Sequence, residues 1–377
     1  MDIAIGRLGA ERRPIRHLDP VLLLATSALT VIGLFMVYSS THTSLHAFGI
    51  DPSYYVKKQI VWLMLSAIVL VVAMTFDYRL AKVYAGFAYG AMILLLIVVR
   101  TPLGTTVKGA QRSFQVSGFA LSPSEWMKVA LIVMLAAFLS EIKASDLSLP
   151  YVIRASALAA LPMLLVFLQP DVGTTIVLAT VLVGIVIVAG AKPRHLLTLG
   201  VLAIALLASA FQLGVVKTYQ IDRVTGFLDD ETNTSAQYNK HQAEIAIGAG
   251  GLTGVGWLKG TQTNLDYVPE QHTDFIFTAV GEEFGFVGSV GLLVIFAILL
   301  WRAFRIALLS KDAFGTYLAA GIAAMFAIQM FVNIGMTLGI MPITGIPLPF
   351  VSYGGSSLLA NYAAVGLLMN VHMRRLK

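Results

Sequence analysis

Within Pro269-Glu270-Gln271-His272-Thr273-Asp274, two carboxylates and an imidazole stand immediately before the apolar run that opens with Phe275-Ile276-Phe277. An acid at the edge of a lipid-facing segment is costly, which marks Asp274 as a functional candidate. Asp is also a common helix N-cap, and capping of the next helix is the plainer explanation for it. Other charged groups stand where apolar spans begin. Ser122-Pro123-Ser124-Glu125-Trp126-Met127-Lys128 puts an acid and a cation three residues apart, on one helix face. Taken alone, that pair is explained by mutual neutralisation at a helix contact. Lys108-Gly109-Ala110-Gln111-Arg112 adds two cations just upstream, Gln169-Pro170-Asp171-Val172-Gly173-Thr174 makes another polar turn, and Lys217 and Arg223 follow in a long loop. Cations gathered near an acid suit an anionic group such as a phosphate together with a proton acceptor. From the residues alone, chemistry on a phosphorylated lipid and transport of one fit about equally.

The elements that must position these groups are membrane helices. Hydrophobic residues make up 57% of the 377 residues and charged residues 12%, and the mean hydropathy is +0.81. Apolar runs near the roughly 20 residues needed to cross a bilayer recur along the chain. They do not alternate as barrel strands would. The expected fold is therefore all-α and polytopic, with about ten spans at 20–40, 57–74, 80–99, 124–140, 151–168, 173–190, 195–216, 274–302, 315–339 and 355–372, forming a single domain over 1–377. Arg7, Arg12, Arg13 and Arg16 precede the first span, and Arg374, Arg375 and Lys377 follow the last. The positive-inside rule then places both termini in the cytoplasm. The same count puts residues 217–273, between the seventh and eighth spans, outside the cytoplasm as one large loop. It contains a helical stretch at Tyr238–Ile247 and a glycine run from Gly248 to Gly256. With no strand before it, that run is not a dinucleotide site, and packing at the membrane surface is its expected role. A second loop, 340–354, is too apolar to be simply solvated, so it should be buried by protein or line a cavity. Glu282 and Glu283, inside the eighth span, are expected to make interhelical contacts.

The net charge of +6 reflects topology and anionic lipid, not nucleic-acid binding. With no cysteine, disulfides, thiol catalysis and thiolate metal sites are excluded. The seven histidines form no HExxH pattern, and no built-in cofactor is expected. A divalent cation, Mg2+ or Mn2+, could assist a diphosphate, but no ligand cage is visible.

Lys108-Gly-Ala-Gln-Arg112, Pro123-Ser-Glu125 with Lys128, Gln169-Pro-Asp171, Pro269-Glu270 with His272-Thr273-Asp274, Gly281-Glu282-Glu283 and Pro347-Leu-Pro-Phe-Val-Ser-Tyr-Gly-Gly355 occur in an order that resembles the SEDS proteins (shape, elongation, division and sporulation). The resemblance covers nearly the whole chain and is closer to the RodA branch than to FtsW. It implies a peptidoglycan glycosyltransferase of the bacterial cytoplasmic membrane that polymerises lipid II during elongation. The implied partners are a class B penicillin-binding protein, which supplies the transpeptidase, and other elongation-complex membrane proteins. The family's essential acid falls on Asp274. Arg112 and Lys128 are the expected diphosphate contacts, with Arg223 beside them. Glu125 would position Lys128, Gln169 lies in a matching motif as a substrate contact, and His272 is a candidate second proton carrier. One departure stands out: Ser113 follows Arg112 where the family usually has Trp, and Phe114 would supply the aromatic contact from a shifted position. A lipid II flippase and a non-catalytic scaffold for the penicillin-binding protein are the alternative functions.

Overall fold

Helix starts follow sequence signals that satisfy their first N–H groups. In the computed structural model, which describes residues 17–107, 110–116, 119–142, 147–201 and 235–375, Asp19 caps α1 (Pro20–Ala47) by accepting from Val21 N and Leu22 N, both at 3.1 Å. The same carboxylate is buried and takes Arg302 Nε at 2.8 Å. The first helix is thereby tied to the far end of the eighth expected span. The helices that follow are α2 (Tyr54–Thr75), α3 (Tyr78–Val83) and α4 (Ala85–Val98). The expected span 80–99 is thus broken at Tyr84. Next come α5 (Pro123–Ser140), with Pro123 in its first turn, α6 (Leu149–Phe167) and α7 (Val172–Val188). The expected span 195–216 is helical through residue 201 and lies outside the described residues beyond it. The chain continues through α8 (Ser235–Ala249), α9 (Thr261–Asn264), α10 (Ile276–Leu308), α11 (Ala313–Thr337) and α12 (Gly355–Arg374).

Six of these helices are long and apolar enough to cross a membrane, and α4 and α7 are shorter apolar helices, so the chain is a multi-pass membrane protein. α5 and α11 are mostly enclosed by protein, while α2, α6 and α10 turn most of their apolar side chains outward, toward lipid. α12 is buried along almost its whole length, packed chiefly on α2.

Two features correct the all-α expectation. First, residues 105–121 form a three-stranded antiparallel sheet, β1 (Thr105–Val107), β2 (Ala110–Val116) and β3 (Phe119–Leu121), in the order β1-β2-β3. Thr106 pairs with Gln111 across a bulge, and Phe114 pairs with Leu121. Second, α10 is broken at Gly285, whose φ of 64° and ψ of −158° are not helical.

The break leaves two carbonyls and two N–H groups without helical partners, and lipid offers none. The glycine run supplies all four. Val255 N and Gly256 N donate to Glu282 O and Glu283 O at 3.1 and 3.0 Å, and Phe286 N and Val287 N donate to Gly251 O and Leu252 O at 2.9 and 3.0 Å. The two acids beside the break hold the same segment. Glu283 accepts from Leu258 N at 3.2 Å and from the Ser39 hydroxyl of α1, which is the expected interhelical contact. Glu282 instead caps α9, accepting from Gln262 N and Thr263 N at 2.8 and 2.9 Å. The glycines are needed because backbone meets backbone. Gly254 has φ +81°, and a Cβ there would collide with the Glu283 carbonyl oxygen. Gly254→Ala should therefore destabilise the protein by about 2 kcal/mol. The check is thermal unfolding in detergent, where an unchanged midpoint would show that the plugged break does not bear on stability.

Candidate active site

Asp274 is placed by a turn whose backbone is held at one point. Glu270 adopts φ 56°, and its carbonyl accepts from Thr273 N and Asp274 N, both at 3.1 Å, and from Phe275 N at 3.4 Å. α10 starts only at Ile276, with Phe275 at its N-cap position and no side-chain cap bond. The N-cap position itself is thus taken by Phe275, one residue after Asp274. The carboxylate lies against the backbone of loop 340–354, where a Cβ on Gly345 would sit 3.3 Å from Asp274 Oδ2. Behind it, the buried Asn333 of α11 joins both chains: its Nδ2 donates to Asp274 O at 2.8 Å and to Ile346 O at 2.7 Å.

Loop 340–354 is both buried and cavity-lining. Ile346, Leu348, Phe350 and Val351 are enclosed by protein, while Thr344 to Pro347 line the cavity that holds Asp274. That cavity has a volume of about 760 Å³ and also takes in Arg112, Glu125, Lys128, Asp171 and Glu270. Four stretches far apart in sequence thus converge on one space, of a size usual for small-molecule sites.

Lys128 is 1% exposed and donates to Glu125 Oε2 at 2.7 Å. A buried ammonium is stable there only because its acid lies one turn back. Arg112 stands on β2, with Nη1 3.9 Å from Asp171 Oδ2. Asp171 in turn caps α7, taking Thr174 N and Thr174 Oγ1 at 3.0 Å each. Ser113, not Phe114, lines the cavity beside Arg112. Phe114 pairs with Leu121 of β3 and is not part of the cavity lining.

Two expected contacts are placed elsewhere. Gln169 is buried outside the cavity lining and donates from Nε2 to Leu96 O at 2.8 Å, tying down the last turn of α4. His272 is also outside the lining. Its ring packs on Tyr55 at 4.8 Å and Tyr353 at 5.8 Å between centroids, and its carbonyl accepts from Tyr353 N at 2.9 Å. Arg223 lies outside the described residues. Conversely, Asn333, Lys58 and Asn239 reach Asp274 or the cavity wall without having been singled out from sequence. For Asn333 the available signal was an amide inside an apolar span, where Gln329 is a second one. Among the described residues, no group of three or more His, Asp or Glu could hold a metal ion.

Comparison with known proteins gives a consistent picture. Residues 20–377 match the family model of the FtsW/RodA/SpoVE cell cycle proteins. A probable peptidoglycan glycosyltransferase FtsW of Trichlorobacter lovleyi is 37% identical over 369 residues, covering 96% of this chain and 95% of that protein. Peptidoglycan glycosyltransferase MrdB of Escherichia coli K12 is 35% identical over 360 residues, covering 95% and 94%. A chain of a peptidoglycan synthase complex, solved to describe the coordination of polymerization and crosslinking, superposes with a TM-score of 0.78 at 32% identity, covering 96% of this chain and 99% of that one.

Proposed function

The chain belongs to the FtsW/RodA/SpoVE (SEDS) family, and from that membership we propose that it is a peptidoglycan glycosyltransferase that joins lipid II disaccharide units and releases undecaprenyl diphosphate. The observation that carries the reading is the single cavity that brings Asp274 together with Arg112, Glu125 and Lys128. Glycosyltransferase names on relatives at 35–37% identity support it.

In this reading Asp274 takes the proton from the 4-hydroxyl of the acceptor sugar as its oxygen bonds to C1 of the donor. The C1–O bond to the diphosphate breaks with its electron pair leaving on the diphosphate, and the configuration at C1 inverts. Arg112 and Lys128 face the leaving group, where added negative charge needs stabilising donors. Glu125 holds Lys128, and Arg223 remains a further diphosphate contact by resemblance. Gln169 and His272 act through the fold, at α4 and at loop 340–354. A divalent cation, Mg2+ or Mn2+, would be held mainly by the diphosphate itself, and no step is routed through it.

Asn333 is then a positioning residue. Asn333→Leu removes both bonds that fix the backbone of Asp274 and Ile346, at a cost of about 1–3 kcal/mol for the stranded carbonyls. It should lower kcat about tenfold and leave KM for lipid II nearly unchanged. Equal loss in both parameters would show a general folding defect instead.

The rest of the assignment follows the resemblance. The protein sits in the bacterial cytoplasmic membrane with both termini inside and 217–273 outside. A class B penicillin-binding protein pairs with it, a proposal the synthase-complex neighbour supports, as do other elongation-complex membrane proteins. Elongation rather than division rests on local sequence, Glu270-Gln271-His272 and Phe284-Gly285-Phe286, since relatives of both branches match about equally. The deciding experiment is polymerisation of labelled lipid II by the purified chain, with and without that partner. Glycan strands support the enzyme. Their absence in both conditions sends the assignment to a flippase, to be tested by lipid II translocation in vesicles.

A further inference from the structure

The two cavity cations expected from sequence are already matched by acids, Lys128 by Glu125 at 2.7 Å and Arg112 by Asp171 at 3.9 Å. A third cation, Lys58 in the second turn of α2, lines the same space. Among the described residues it is in ion-pair contact with no carboxylate. Its side chain lies over the Tyr54 ring, with Nζ 4.5 Å from the centroid. An aromatic face steadies an ammonium without neutralising it, and it leaves the N–H donors to turn elsewhere. The neighbouring Lys57 is different: it pairs with the exposed Asp51 away from the cavity.

The wall that carries Lys58 is well held. Gln59 donates to Ser352 O at 3.3 Å and accepts from Gly354 N at 3.4 Å. Trp62, one turn beyond Lys58 on the same face, packs so closely on Gly355 that a Cβ there would collide with its indole. Lys58 thus projects from a fixed surface into a cavity that also holds the proposed base, as a lining cation with no carboxylate in ion-pair contact among the described residues.

We propose that Lys58 is a substrate-binding residue that takes the anionic diphosphate of the lipid-linked sugar from the α2 side of the cavity that Arg112 and Lys128 also line. This rests on the glycosyltransferase reading and adds a specific contact to it. A charge-assisted bond from an ammonium to a phosphate oxygen in a partly enclosed site is among the stronger single contacts available to such a ligand.

The test uses the full-length protein in detergent with undecaprenyl diphosphate as probe. Lys58→Met should weaken binding about tenfold, equivalent to about 1.4 kcal/mol, while Lys58→Arg should stay within about threefold of wild type because the charge remains. In lipid II polymerisation, Lys58→Met should raise KM by a similar factor with kcat less affected. In the wild type, saturating probe should slow acetylation of Lys58, read by mass spectrometry, and leave Lys57 unaffected. That arm holds even if the Met variant folds poorly. Full affinity in Lys58→Met, or equal protection of Lys57 and Lys58, overturns the assignment. A wild type that binds the probe and shows the Lys58 effect but never polymerises would sink the glycosyltransferase reading and leave the diphosphate contact standing.

Discussion

Asp274→Asn is expected to lower lipid II polymerisation about 10³-fold, the scale of a lost general base, in a protein that still folds. Asn is nearly isosteric with Asp, and the bonds that place residue 274 run through its backbone: its N–H to Glu270 O, its carbonyl to Asn333 Nδ2. Neither requires a carboxylate. The close approach of Oδ2 to Gly345 leaves room for an atom of the same size. The change therefore keeps these backbone bonds and removes the carboxylate's capacity to accept a proton. The measurement is initial polymerisation rate, with thermal unfolding beside it. A rate within tenfold of wild type would exclude Asp274 as the base. A scaffold would tolerate the substitution, and so would a transporter in which the acid only contacts the headgroup. The same assay therefore separates the enzyme from both alternatives. Asp274→Glu should recover part of the lost rate, because the acid returns at a shifted position.

The parts of this site legible in sequence were those whose signal is local. Apolar runs gave most of the helices, and charges at the edges of those runs singled out Asp274, Arg112, Glu125 and Lys128. Loop 340–354 announced its burial through Pro and Gly within an apolar stretch. What sequence did not reveal depends on partners distant along the chain. The sheet at 105–121 falls between two expected spans, and its strands are only three to seven residues long. Its signal was nonetheless present, in the alternation of Gln111, Ser113 and Gln115 and in Lys108-Gly109 and Ser117-Gly118 at the two connections. The break in α10 is not marked by a polar stretch at Gly285 itself, although Glu282 and Glu283 stand just before it in an otherwise apolar run. Only the insertion of Gly251 to Gly256 explains how lipid tolerates it. Gln169 carried a polar signal that pointed to a ligand, yet it serves a helix end. Lys58 carried no signal of its own: nothing in sequence distinguishes it from Lys57, and only the fold shows which of the two lines the cavity.

Lys128→Met should cost about 3–5 kcal/mol in stability, since it strands the Glu125 carboxylate in a largely enclosed setting without its partner. The informative comparison is the double variant Glu125→Gln, Lys128→Met, which removes both charges and keeps both side chains near their original volume. A neutral pair of this kind usually returns most of the lost stability, because the desolvation cost disappears along with the attraction. If the pair only joins helices, the double variant should recover activity together with its melting temperature. The cavity argues for a different result. Lys128 Nζ has one hydrogen bond among the described residues, an ammonium carries three donors, and both residues line the space that holds Asp274. The double variant should therefore unfold within about 1 kcal/mol of wild type while polymerising lipid II at least about 100-fold more slowly, a loss expected when a charged donor to the departing diphosphate is removed. Thermal unfolding and polymerisation rate measured on one preparation decide the matter. Recovery of both would make Glu125 and Lys128 a structural pair, and would leave the diphosphate to Arg112 and Lys58.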